Sequence, residues 1–203
     1  RLQGKTYMEI MAAGGGIAAT WQATRSASFE ELIAQTRERA RTAFAHGTTT
    51  LEAKTGYGLD IETELRQLEV ILKLDEEGPL ELIPTYLGAH AIPPEFAGNA
   101  KGYTDFLCSE ALPAVQAWWQ EHAPARQLPF VDVFCEEGVF DLAQTRRILL
   151  RAQELGFPLK LHADEFANLG GAGLAAELGA ISADHLVKTS AEDIQKLAES
   201  NTV

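Results

Sequence analysis

Between Thr48 and Glu199 a short apolar or β-branched run is followed by a helical pattern five times over, with no tight hairpin signal between them. Strands that are always separated by helices do not pair as hairpins. They run parallel, joined by right-handed crossovers with helices packed outside, so the chain reads as α/β. The strand runs are residues 48–51, 80–87, 130–134, 158–161 and 181–184, and the helical patterns are 28–46, 62–76, 103–121, 141–155, 170–178 and 191–199. Ser28 with Glu31 three residues on is a capping box, Gly47 stops that helix, and Ser190 caps the last one.

Polar residues close every strand: Lys54 and Tyr57, His90, Glu136, His162 and Glu165, and His185. An open doubly wound sheet gathers its ligand groups at one switch point, whereas a barrel spreads them around the whole rim of C-terminal strand ends. The expected architecture is therefore a (β/α)8 TIM-type barrel. Five units fall short of the eight that such a barrel builds in about 250 residues, so residues 1–203 are read as a central part of one barrel domain. The chain starts at Arg1 rather than a methionine and reaches Asn201, Thr202 and Val203 as another strand begins, which is expected of a segment of a longer protein.

A net charge of −12 argues against nucleic acid or an anionic membrane, since either requires a basic patch to neutralise phosphates. A small-molecule partner is expected instead. Neither a membrane-length apolar run nor a signal-peptide pattern is present, so the reading is a soluble, cytoplasmic chain. Cys108 and Cys135 lack paired metal or redox spacing and read as reduced structural thiols.

Parallel strands bring their C-terminal ends to one rim, where residues distant in sequence meet. His90, His162 and His185 at three such ends offer neutral imidazoles to a divalent cation, and Glu165, three residues past His162, is a neighbouring acid or base. A bound cation lowers the pKa of water to about 7 and so makes a nucleophile at neutral pH. Tyr57 lies between Gly56 and Gly58 on a loop that can approach a ligand closely. Glu52 and Lys54 are read equally as an internal ion pair or as functional groups. His46 and His122 look structural or solvated, and of the adjacent Trp118 and Trp119 one is expected buried and one partly exposed. A short helix over residues 7–13 and a flexible loop at Gly14, Gly15 and Gly16 complete the reading.

Five stretches then carry a resemblance: residues 47–59 (GTTTLEAKTGYGL), 87–93 (LGAHAIP), 132–140 (DVFCEEGVF), 160–165 (KLHADE) and 182–186 (SADHL). With residues 1–10 (RLQGKTYMEI) and the glycine triplet, they resemble the imidazolonepropionases, a family of metal-dependent amidohydrolases, over essentially the whole chain. The resemblance implies hydrolysis of 4-imidazolone-5-propanoate to N-formimino-L-glutamate in histidine degradation. It implies His162 as a metal ligand, Glu165 as the carboxylate that contacts substrate and moves the proton, and His185 as the histidine near the attacked carbonyl. Tyr57 and His90 match substrate-binding positions. One divalent metal, zinc or iron, is implied as well. An incomplete barrel has open sheet edges and exposed core surface, so the chain is expected to associate, as a homodimer.

Several family features have no match here: the His-x-His pair after the first strand, the substrate-binding arginine, the aspartate after the eighth strand, and the small β-sandwich formed from the chain ends. Of the expected protein ligands only His162 is present, and one imidazole does not hold zinc or iron well against water. The segment by itself is therefore expected to be inactive and to bind metal weakly. The alternatives are another cyclic amidohydrolase or deaminase of the same superfamily, and a non-catalytic partial barrel serving as a binding module.

Overall fold

The computed structural model describes residue 4 and residues 17–203, so the readings placed on residues 7–13 and on the glycine triplet lie outside the described residues. The fold alternates strand and helix. In chain order it contains α1 (Ile17–Ser26), α2 (Phe29–Ala45), β1 (Thr50–Lys54), α3 (Ile61–Glu77) and β2 (Glu81–Ala89). A helical stretch follows, made of α4 (Ala100–Phe106), a wider turn over Leu107–Ala111 and α5 (Leu112–His122). Then come β3 (Phe130–Cys135), α6 (Leu142–Glu154), β4 (Lys160–Ala163), α7 (Gly171–Leu178), β5 (Ser182–His185) and α8 (Ala191–Ala198). Strand order in the sheet is chain order, β1-β2-β3-β4-β5, and the pairings β2–β3, β3–β4 and β4–β5 are parallel. Parallel neighbours linked each time by a helix are part of a TIM-type (β/α) barrel.

The chain divides into two compact units at Pro84. In the first, Leu74, Leu80 and Leu82 pack with Val70 and Ile71, and Phe29, Leu32 and Ile33 of α2 close over them. The capping box at Ser28 and Glu31 is formed as expected. Glu52 and Lys54 are an ion pair at 2.8 Å. The loop after β1 is organised by Glu64 of α3, whose buried carboxylate accepts the N–H groups of Gly56 and Gly58 at 2.7 Å and of Leu59 at 2.9 Å. A side chain on Gly58 would put its Cβ 2.5 Å from Thr63 Cβ. The loop that presents Tyr57 thus has one conformation, set from below. Glu64→Ala removes the carboxylate that accepts these three N–H groups, and denaturant unfolding is expected to show a loss of about 3 kcal/mol.

In the second unit Tyr103, Leu107, Leu112, Val115 and Trp119 pack inward with Val133, Phe140, Ile148, Leu149 and Leu161. Trp119 is buried and Trp118 half-buried, because adjacent positions on a helix point about 100° apart. Both cysteines are free and buried, and burial pushes the Cys135 thiol up to about 11. The thiolate is the reactive form, so alkylation of Cys135 at pH 8 is expected only after unfolding, as timed labelling with and without denaturant would show. No described helix is long and apolar enough to cross a membrane.

Two differences from the sequence reading matter for the site. Each strand ends one to three residues later than its apolar run, because the backbone ladder continues past the apolar side chains; Lys54, His162 and His185 are strand residues. Helix α1 was hidden beneath the glycine-rich composition that precedes it.

Candidate active site

The register of the second unit builds the site. Phe134 on β3 pairs with His162 on β4, and His162 with Asp184 on β5, so the three side chains form one row on one face of the sheet. Asp132, two residues before Phe134, shares that face by the two-residue period of a strand. The ring of Phe134 meets the His162 ring edge-on at 6.0 Å, and the His90 ring lies 6.3 Å from it. On the other side the His185 ring is 5.0 Å away.

Asp132 is fully buried and grips His162 at two points. Its Oδ1 accepts the His162 backbone N–H at 3.2 Å, and its Oδ2 lies 2.8 Å from His162 Nδ1. That second contact is off the hydrogen-bonding direction, and Nδ1 is buried with no hydrogen-bond partner. One ligand atom each from Asp132, His162 and Asp184 lie within 4.8 Å of one another. Ligand atoms bonded at 2.0–2.2 Å to a tetrahedral ion stand about 3.5 Å apart, so this nitrogen-and-oxygen set fits a divalent metal.

At the rim Glu165 and His185 face each other, with Oε2 and Nε2 3.5 Å apart. Their side chains are 24% and 36% exposed, so both remain open to a ligand. Asp164 between His162 and Glu165 is fully buried and hydrogen-bonded to the loops around it, which gives it a structural part. Glu136 is also an internal acceptor: it takes the N–H groups of Glu137 and Phe166 at 2.9 Å and of Ala167 at 3.1 Å. His46 and His122 are exposed, with Nδ1 2.8 Å from Thr42 O and Trp118 O respectively.

The structure thus brings together His90, His162, Glu165 and His185. Tyr57 belongs to the first unit, on the loop that Glu64 holds. Asp132 and Asp184 were missed from the sequence. Asp132 sits inside an apolar strand, where a buried carboxylate is costly unless it is partnered, and Asp184 precedes a histidine already singled out; those were the available signals.

Strand, helix and rim place the chain among the (β/α)-barrel proteins with a candidate metal centre at their strand ends. No family model matches it. The chain is 54% identical over 203 residues to imidazolonepropionase of Herpetosiphon aurantiacus, covering 100% of this chain and 48% of that protein. It is 51% identical over 205 residues to imidazolonepropionase of Chloroflexus aggregans and 52% identical over 203 residues to that of Symbiobacterium thermophilum, covering 48% and 46% of them. Over its entire length the chain is thus about half identical to these imidazolonepropionases, and it spans about half the length of the curated relatives it matches.

Proposed function

We propose that the full-length protein containing this chain hydrolyses the ring amide of 4-imidazolone-5-propanoate, giving N-formimino-L-glutamate in histidine degradation. The observation that carries the reading is identity of about half over the entire chain to curated imidazolonepropionases. The meeting of His162, Glu165 and His185 at adjacent strand ends supports it.

In this reading His162 is a ligand to one divalent metal, zinc or iron, with Asp132 and Asp184 beside it as further candidate ligands. When bound, that metal supplies a positive charge for the carbonyl oxygen and acidifies water. Glu165 takes the proton of the attacking water and delivers it to the departing ring nitrogen. His185 stands beside Glu165 and donates a hydrogen bond to the oxygen on which charge develops. His90 and Tyr57 contact the substrate. Cytoplasmic location and a homodimer belong to the same proposal.

The full-length protein should convert 4-imidazolone-5-propanoate to N-formimino-L-glutamate, followed by product mass, and should lose that activity on removal of its metal. Equal or better turnover of a different cyclic amide or an aminated heterocycle would move the assignment to another amidohydrolase.

A further inference from the structure

Strict strand alternation would put Asp184 and His185 on opposite faces of the sheet. His185 nevertheless reaches the face of His162, because the backbone turns left-handed at the strand ends: φ is 53° at Asp164, 76° at His185 and 56° at Leu186. Non-glycine residues seldom adopt this region, and they stay there only where the surroundings hold them.

Asp164 supplies that hold. Its Oδ1 accepts the N–H groups of Leu169 and Gly171, both at 3.1 Å. Its Oδ2 accepts the Ala172 N–H and the Thr189 hydroxyl, both at 3.2 Å. Its carbonyl oxygen accepts the Lys188 N–H at 2.7 Å. One fully buried residue therefore fastens the loop that carries Glu165 to the loop that follows His185. Gly170, the residue just before helix α7, has no side chain to cap it, so the Asp164 carboxylate serves the helix's first amides instead. The approach needs a bare backbone: a Cβ on Gly171 would lie 2.9 Å from Ala163 Cβ. Glu136 holds Phe166 and Ala167 from the other side. The segment just after Glu165 thus ends its amides on two buried carboxylates.

We propose that Asp164 is a positioning residue, whose carboxylate locks the left-handed strand ends that set Glu165 against His185. The proposal rests on the reading of those two residues as the groups that act on substrate. Its loss should lower turnover rather than binding.

The test compares Asp164→Asn, Thr189→Ala and Glu165→Gln in the full-length protein. Asparagine keeps the shape and tolerates the left-handed backbone, but only one of its terminal atoms accepts hydrogen bonds. Asp164→Asn should lower kcat about 10- to 100-fold, with KM within about threefold and bound metal unchanged. Thr189→Ala removes a single bond from a half-buried residue and should lower kcat about three- to tenfold, a milder form of the same misplacement. An Asp164→Asn protein that melts earlier but turns over at the parental kcat would overturn the proposal. If that variant does not fold, an unchanged kcat in Thr189→Ala overturns it. Glu165→Gln separates the two levels: full activity there removes the reading of the site itself, whereas an inactive Glu165→Gln beside a fully active Asp164→Asn removes only the positioning role.

Discussion

Glu165→Gln in the full-length protein is expected to lower kcat about 10²- to 10⁴-fold, the range that a positioned proton-transfer group contributes, with KM and bound metal little changed. Glutamine fills the same space and still accepts a hydrogen bond, but it cannot take up a proton at neutral pH. Glu165 is 24% exposed and stands 3.5 Å from His185 at the rim, so its removal leaves the buried grip of Asp132 on His162 in place. A carboxylate that merely paired with His185 would give a different result: slightly altered stability and unaffected turnover. Steady-state kinetics on 4-imidazolone-5-propanoate, with metal analysis of the same sample, tells the two apart.

The barrel was legible because its determinants are local. Apolar runs, helix caps such as Ser28 with Glu31, and the absence of hairpin turns each act within a few residues, and together they admit few topologies. The histidines were legible for the same reason: His90, His162 and His185 each close an apolar run. The two carboxylates beside His162 were less so. Asp132 becomes its neighbour only through the registers that set Phe134 opposite His162 and His162 opposite Asp184, and pairing register across thirty residues leaves no local trace. The left-handed turns at Asp164 and His185 were invisible as well. No glycine marks them; Asp164 is held by hydrogen bonds from Leu169, Gly171, Ala172, Lys188 and Thr189, five to twenty-five residues further along the chain. What sequence reading recovers here is the inventory of the rim, and what it lacks is the wiring beneath.

That wiring sets the second large effect. His162→Ala in the full-length protein should reduce bound metal to near background and abolish turnover, because it deletes the one imidazole that reaches both Asp132 and Asp184. Asp132→Asn is the more informative change. Asp132 offers an oxygen to the same cluster as His162 and Asp184, and loss of even an outer partner of a ligating histidine weakens metal binding about 10- to 100-fold. Asp132 contacts His162 at the backbone N–H, 3.2 Å, and at Nδ1, 2.8 Å, so the amide variant should keep the fold, lose metal on dialysis, and recover turnover when metal is added in excess. Recovery by added metal separates a carboxylate that serves the metal from one needed only to fold the strand, since a misfolded barrel would not respond. If Asp132→Asn retains metal through dialysis as firmly as the parent, Asp132 does not serve the metal, and the burial of a carboxylate within β3 needs another cause.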